Sequence, residues 1–422
     1  MSLLCETQQF VRGTNKTMNQ THVYICGAKG ISQYGGFESF VQKLLEHSAE
    51  RSEIKYHVAC KANGQGAMDV KQLKGASEII EGRFTYCNAD CFLIPVPNYL
   101  GSAQAVFYDI ASIKSICKHI EDNKIEKPIV YILTCRIGPF IKKYIDKIHG
   151  YCGKVYLNPD GHEWARRKWS KLVRRYWKLS EKMMVKYADH IICDNKEIEK
   201  YIKDEYKKYN PETSFIPYGS DISLSVLADD DSGFTGWLES VGVEPDNYYL
   251  VVGRFVEENN FDIIIKEFMR TKTEKKLVLL TTFNEKLKEK LAKKLDFKSD
   301  NRIVITSPVY NLELLKKIRE HAYAYIHGHE VGGTNPSLLE GLSSTNLNLV
   351  YGVKFNKEVA RDAALYWKKK EGNLELLINR VESLDIIKKS ELGNLAKEYI
   401  QKNYNWDDVA NNYIKTFSNC MS

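Results

Sequence analysis

No run of this 422-residue chain is apolar for the roughly 18 residues that a membrane-spanning helix needs. The amino end lacks a basic-then-apolar leader, so no secretory signal is expected. No two cysteines stand as C-x-x-C, which removes zinc-knuckle and redox spacings. The ten cysteines are scattered instead. Cys26, Cys60, Cys135 and Cys193 lie inside apolar, strand-like runs, the usage of buried thiols in a reducing cytosol. The Walker pattern is missing, which argues against an ATPase. Zinc-finger spacing, an RNA-recognition signature and long Lys/Arg tracts are missing too, so no nucleic acid partner is expected. There is no short internal repeat and no low-complexity tract.

What is there is an ordinary globular composition, 43% hydrophobic and 27% charged. The length allows about two or three domains. A net charge of +7 suits anionic partners: nucleotide phosphates, lipid diphosphates or an acidic membrane.

Residues 1–20 are polar and patternless, the look of a disordered extension or a mis-assigned start, with Met18 as the candidate true start. Asn15-Lys16-Thr17 and Asn19-Gln20-Thr21 match the glycosylation acceptor pattern by chance, given no signal peptide. Strand-like runs then alternate with helical periods. The runs are His22–Cys26, Tyr56–Cys60, Cys91–Pro95, Ile129–Thr134, Val155–Leu157 and His190–Cys193. Phe37, Phe40, Val41, Leu44 and Leu45 form one helix face, and Ala103, Val106, Ile110, Ile113 and Cys117 another. Such alternation predicts a parallel sheet covered on both faces. A polar, turn-rich break follows near Ile222–Gly242. The alternation restarts with Tyr248–Val252, Lys276–Thr281, Arg302–Ile305, Ala322–Ile326 and Leu347–Val350. The expected fold is therefore α/β, with two Rossmann-like domains facing a cleft. Residues 21–222 form the first and 223–395 the second. Residues 396–422 are helices expected to cross back to the first.

Two glycine-bearing loops are candidates for phosphate. The first strand runs into Gly27-Ala28-Lys29-Gly30-Ile31-Ser32-Gln33-Tyr34-Gly35-Gly36, just before a helix. Such a loop lets backbone N–H groups approach an anion at a helix amino end, although glycines there also serve simple tight turns. The dinucleotide fingerprint does not fit. The spacing is wrong, and Lys61-Ala62-Asn63-Gly64 after the second strand offers no ribose acid, which argues against a dehydrogenase.

In the second half, Arg254 directly follows a strand in Val251–Asn260. At the carboxyl end of a parallel strand a guanidinium can grip a diphosphate with two hydrogen bonds, a surface arginine being the alternative. His327-Gly328-His329-Glu330-Val331-Gly332-Gly333-Thr334-Asn335-Pro336 leads into a helix with Asn335 as N-cap and Pro336 first. Gly332, Gly333 and Thr334 then form a second anion cradle, and Glu340 lies in the second helical turn, within reach of a sugar hydroxyl. His327 and His329 have no further ligand nearby. Asp229-Asp230-Asp231 lies in the turn-rich break rather than after a strand, so no metal site is expected.

These segments resemble a known family. From about Thr21 onward the chain is similar to family 4 retaining glycosyltransferases of the GT-B fold. It resembles most closely the bacterial β-1,4-rhamnosyltransferases of streptococcal capsule and rhamnose-polysaccharide assembly. The matching segments are Gly30–Glu38, Cys135–Phe140, Asn158–Trp169, Val252–Asn260 and His327–Glu340. The resemblance implies a dTDP-L-rhamnose donor and a glucose- or N-acetylglucosamine-diphosphate-polyprenol acceptor. It places the chain in the cytoplasm, peripheral on the inner face of the plasma membrane, and calls for no metal or other cofactor. It sets Gly35 and Gly36 facing the donor diphosphate, with Arg254 binding it. Glu340 matches the second glutamate of the family's E-x7-E motif, which holds the donor ribose. The first glutamate of that motif falls at Gly332, and the family's lysine five residues after the arginine is Asn259 here; the subfamily shares both changes. Asn259, Gly332, Gly333, Thr334 and Asn335 complete the expected donor site. Arg136, in the Cys135–Phe140 segment, belongs to the expected acceptor side. Front-face attack, with the departing diphosphate helping to take the proton, is the implied mechanism.

Asp160, His162 and Glu163 follow the strand Val155–Leu157, at the cleft edge of the first domain. Asp160, then His162, is the preferred group to orient the acceptor hydroxyl or take its proton; a loop cap is the alternative. A helix over Ala165–Tyr187 follows. Trp169, Leu172, Val173, Tyr176, Met183, Met184 and Tyr187 read as its core stripe. Lys171, Arg174, Arg175, Lys178 and Lys182 form a basic stripe, either a solvated face or a contact with an anionic membrane surface. A non-catalytic nucleotide-sugar-binding protein, or a glycosyltransferase using another nucleotide sugar, is the alternative function.

Overall fold

The computed structural model describes residues 20–31, 35–166, 168–282 and 285–419. The leader before Gln20, with Met18, the match Asn15-Lys16-Thr17 and Asn19 of the second match, lies outside the described residues, as do Ser32–Tyr34 of the first glycine loop.

The apolar runs of the first half form one sheet of eight strands. They are β1 (Thr21–Cys26), β2 (Ile54–Lys61), β3 (Arg83–Tyr86), β4 (Ala89–Ile94), β5 (Ile129–Leu133), β6 (Lys154–Asn158), β7 (His190–Cys193) and β8 (Thr213–Phe215). Their order is β3-β4-β2-β1-β5-β6-β7-β8. Pairing is parallel except between β3 and β4. β5 is buried along its whole length, as a strand covered on both faces must be. The helix Gly36–Glu46 buries Phe40, Val41, Leu44 and Leu45, most of the face read from its periodicity.

The second half repeats the plan with six strands: β9 (Tyr248–Val252), β10 (Lys276–Leu280), β11 (Ile303–Thr306), β12 (Ala324–His327), β13 (Asn348–Tyr351) and β14 (Leu365–Trp367). All are parallel, in the order β11-β10-β9-β12-β13-β14. Each sheet has a switch point, where the chain leaves neighbouring strands in opposite directions. These are β1/β5 in the first sheet and β9/β12 in the second. Open α/β sheets bind ligands in the crevice at such points.

Several expectations need correction. β3, β8 and β14 have no counterpart among the runs read from sequence. β3 pairs through a tight hairpin at Cys87 (φ +50°), while β8 and β14 are only three residues long. The expected break contains a helix, Ser232–Val241, and Asp231 caps it by accepting from Gly233 and Phe234 N–H. Asp229 pairs with Lys317 and His321. His327 is the last residue of β12 and buried, not in a loop. The helix expected from Ala165 starts at Lys171, with Ser170 as N-cap, and its buried face carries Trp177, Ser180, Glu181, Met184 and Val185. Leu172, placed in the core stripe from its spacing, is 75% exposed.

The carboxyl-terminal helices divide between the sheets. Ile386–Asn403 packs on the second-domain helix Pro336–Ser344. Trp406–Ser418 lies on the first sheet, where Tyr413 contacts Phe40 and hydrogen-bonds the Tyr131 hydroxyl. One apolar cluster joins Val23, Phe40 and Tyr131 to Leu338 and Leu342 of the second domain and to Trp406 and Phe417.

Candidate functional site

At the β9/β12 switch point, Arg254 follows β9 and is exposed, with no salt bridge among the described residues. Its loop is held by Asn259, whose Nδ2 donates to the Arg254 carbonyl at 2.7 Å. The Asn259 Oδ1 accepts from His329 Nδ1 at 2.7 Å. Asn259 therefore clips the arginine loop to the loop after β12, its amide engaged by the protein itself. That bond leaves His329 Nε2 as the acceptor nitrogen, on the Gly332 side. Burial, then the charges of Arg166 and Arg254, pushes His329 down to about 3. A neutral imidazole thus lies in the field of two cations.

Asn335 caps the helix Pro336–Ser344, its Oδ1 accepting from Ser337 N–H at 2.9 Å. The loop before it does something the sequence did not suggest. A Cβ on Gly333 would lie 2.1 Å from Asp194 Oδ1, and one on Gly161 2.2 Å from the Gly332 Cα. Thr334 is buried and its hydroxyl donates to the Asp194 carbonyl. Gly332 (φ +132°), Gly333 and Thr334 thus seat the second domain against the ends of β6 and β7. Their glycines serve close backbone approach between domains. Glu340 is ion-paired with the buried Arg319 and half-exposed. Glu330, two residues before the expected motif position, is tied to Lys369.

In the first domain the glycine loop carries a carboxylate over itself. Lys29 N–H donates to Glu38 Oε1 at 2.9 Å, and a Cβ on Gly35 would meet Glu38 Oε2 at 2.0 Å. Gly35 is extended (φ −179°), so this contact, not the backbone angle, requires glycine. Gly36 faces open space. Arg136, after β5, donates Nη1–H to the Gly27 carbonyl at 2.8 Å and to Asp109 at 3.1 Å. Asp109 is fully buried, and burial lifts its carboxyl to about 6 despite the arginine. Arg136 thereby locks the two loops of the β1/β5 switch point together, with Asp160 and Glu38 in its field.

Asp160 and Asp194 follow the neighbouring strands β6 and β7. Asp160 is half-buried in the left-handed region (φ +59°), its Oδ1 accepting from Gly161 N–H at 2.8 Å. Asp194 is 5% exposed and its Oδ1 has no hydrogen-bond partner among the described residues. Burial, then Asp160, raises Asp194 to about 7. His162 sits edge-on to the Tyr201 ring at 4.3 Å; burial and then Lys178 lower its pKa. Glu163 is committed within its own loop, to Arg166 at 2.5 Å, Lys168 at 2.9 Å and Trp169 Nε1 at 2.8 Å. These partners suit a loop clamp better than acceptor binding.

Lys178, read from sequence as part of the basic stripe, is not on the solvated face. Its Nζ lies over Trp164 at 4.6 Å, Tyr201 at 4.9 Å and Tyr206 at 5.2 Å, and pairs with Glu181 and Glu205. This box anchors the loop that carries His162. Lys171, Arg174, Arg175 and Lys182 are exposed, together with Leu172 and Leu179.

Sequence reasoning missed Asp194, Asp109 and Arg166. Asp109 left a trace, a carboxylate within an apolar helix face. Asp194 left none, because part of its cover, Gly333 and Thr334, comes from the other domain.

The profile of a family described as a domain of unknown function (DUF1972) matches residues 20–221. No curated protein matches the chain. Solved structures do. Sucrose-phosphate synthase from Thermosynechococcus elongatus superposes with a TM-score of 0.73 at 13% identity, over 95% of this chain and 99% of that one. HepE of Anabaena, solved with UDP, gives 0.66 at 11% identity, over 95% and 100%. The UDP-forming α,α-trehalose-phosphate synthase from Burkholderia vietnamiensis gives 0.69 at 9% identity, over 95% and 100%. The chain has the GT-B fold. In this structure His329 lies in the field of Arg254 and Asp194 in that of Asp160, and the Gly332–Thr334 loop links the two groups.

Proposed function

We propose that the protein is a retaining glycosyltransferase that moves L-rhamnose from dTDP-L-rhamnose to a glucose- or N-acetylglucosamine-diphosphate-polyprenol. The observation that carries the transferase reading is Arg254. It is an exposed guanidinium with no salt bridge among the described residues, at the second switch point, in the field of a neutral histidine and near a capped helix start. That is where a leaving diphosphate needs positive charge and N–H donors. The solved structures of this fold include HepE bound to UDP-glucose, which supports a nucleotide-sugar donor. The rhamnosyl and polyprenol parts rest on the sequence resemblance alone.

In this reading Arg254 grips the diphosphate, and Glu340 exchanges part of its bond with Arg319 for a ribose hydroxyl. The bond from the sugar carbon to the phosphate oxygen breaks as the acceptor oxygen bonds that carbon from the same face. The acceptor proton passes to the departing phosphate oxygen, and Asp160 orients the acceptor hydroxyl. Arginine and backbone amides meet the charge without a metal.

The acceptor's lipid implies work at an anionic membrane surface on the cytoplasmic side. No helix among the described residues is long and apolar enough to cross a membrane. Leu172 and Leu179, exposed among Lys171, Arg175 and Lys182, suit a helix lying on such a surface. A UDP-sugar donor is the second reading, favoured by the nucleotide bound in HepE.

Incubation with a panel of dTDP- and UDP-sugars and sugar-diphosphate-polyprenols, with products read by mass, tests both. A rhamnosyl-lipid product from dTDP-L-rhamnose is expected. Product only from a UDP-sugar would move the donor, and no product from any pair would favour a binding protein.

A further inference from the structure

The chain crosses between domains twice, after Phe215 and again near Tyr404, and the crossings are joined by Ser220 N–H donating to the Tyr404 carbonyl at 2.7 Å. A cavity of about 690 Å³ opens beside this double hinge. Its walls come from the first domain (Lys196, Phe215), the second (Glu358, Arg361) and the carboxyl-terminal helices (Tyr399, Lys415). None of its lining residues belongs to the donor or acceptor set above.

The charge in the cavity is unbalanced. Lys196, Arg361, Lys402 and Lys415 converge on it, and none of the four forms a salt bridge among the described residues. The two carboxylates there are already engaged. Glu358 accepts from the backbone N–H groups of Lys196 at 3.1 Å and Glu197 at 3.3 Å. Asp408 is bonded to Asn405.

Arg361 is also held in place at a cost. Its φ of +42° with ψ of −127° is a conformation that side chains other than glycine rarely adopt. Tyr366 donates to its carbonyl, and its guanidinium lies 4.3 Å from the centre of the Tyr399 ring. A strained backbone that holds a stacked guanidinium, without a salt bridge among the described residues, at the wall of a cavity points to a ligand site. The volume falls within the roughly 300–1,000 Å³ usual for small-molecule sites. The Phe215 ring fixes a second cation in the same way, with Lys196 Nζ 5.3 Å from its centre.

We infer that this hinge pocket is a second binding site, separate from the cleft, for a small organic phosphate of nucleotide size. Because its walls belong to both domains and to both crossings, occupancy biases the domains toward one relative orientation. Binding at the pocket does not depend on the transfer reaction. Any effect on turnover rests on the function proposed above.

Calorimetric titration with dTDP, and separately with inorganic pyrophosphate, tests it in three proteins: the parent, Arg254→Ala, and Lys402→Glu/Lys415→Glu. Both lysines are exposed, so the double variant should keep the parent's melting temperature; Lys402→Gln/Lys415→Gln serves if it does not. Two sites for dTDP are expected in the parent. One should survive Arg254→Ala, and that one should weaken at least tenfold in the double variant. Binding lost entirely with Arg254→Ala, or indifferent to the lysines, would overturn the pocket. A single parental site that ignores Arg254 but needs the lysines would keep the pocket and count against the donor site. Sedimentation with phosphatidylglycerol against phosphatidylcholine vesicles separates the two sources of phosphate. Vesicle binding that needs Lys402 and Lys415, with no soluble phosphate bound, assigns the site to a lipid headgroup.

Discussion

Arg254 and Asp194 carry opposite lessons about single residues. Arg254 was readable because its meaning is local: a guanidinium one residue past a parallel strand and its glycine. Arg254→Ala should lower turnover by about 2–4 kcal/mol of transition-state stabilisation, roughly thirty- to a thousandfold. Steady-state kinetics checks this, and activity within tenfold of the parent would remove Arg254 from the diphosphate site. Asp194 was unreadable because Gly333, 139 positions away in sequence, closes over its carboxylate. Its pKa, raised to about 7 chiefly by burial and next by Asp160, makes a pH prediction. An acid with a raised native pKa favours the folded state while protonated. Its stabilising effect is complete below the usual carboxylate pKa and is lost as pH rises toward 7. Asp160 and Glu358, the other acids in its field, push the same way, while the Tyr218 hydroxyl opposes them. Asp194→Asn should therefore melt near the parent at pH 5 and several degrees above it at pH 8. A melting difference that does not change with pH would show that Asp194 is ionised throughout.

The helix Lys171–Tyr187 shows how a correct element can be given the wrong faces. Its charge pattern was plain in the sequence, but spacing alone put Leu172 inside and Lys178 outside. The structure reverses both. Lys178 finds three aromatic rings and Glu181, while Leu172 stays largely exposed. A buried carboxylate on the helix face, Glu181, is what draws the lysine in. Two variants separate the faces. Lys171→Gln/Arg175→Gln/Lys182→Gln should leave the melting temperature unchanged and weaken binding to anionic liposomes, each charge contributing about 1 kcal/mol that falls with salt. Lys178→Met should do the opposite. It should lower stability by about 1 kcal/mol, a value kept small because the side chain is 34% exposed, and leave liposome binding alone. Liposome binding unchanged in the triple variant would return that face to plain solvation.

At the scale of the whole molecule, each domain has an apolar core of its own and a further core is shared between them. The cluster that joins Phe40 and Tyr131 to Leu338, Trp406 and Phe417 makes the last helix part of the first domain's interior. Removing residues 406–422 would strip Trp406, Tyr413 and Phe417 from that face. Each large aromatic side chain lost from a core costs about 3–5 kcal/mol, and the sum rivals the entire stability of a domain. The shortened chain should show a first domain that unfolds separately and is cut early by protease, while the second domain still melts cooperatively. A single sharp melt near the parent's temperature would mean that the helix is an accessory. The sequence by itself determined the alternation of strands and helices, the two parallel sheets, the capped start of the helix at Asn335 and the strand-end position of Arg254. Each of these depends on residues within a few positions of one another. Only the tertiary structure decided that Gly333 and Thr334 seat one domain on the other, that Asn259 clips the loop of His329 to that of Arg254, that Lys178 is drawn in by Tyr201 and Tyr206, and that Asp194 is buried. Those outcomes depend on which groups meet across long stretches of chain, and local periodicity holds no information about the partner.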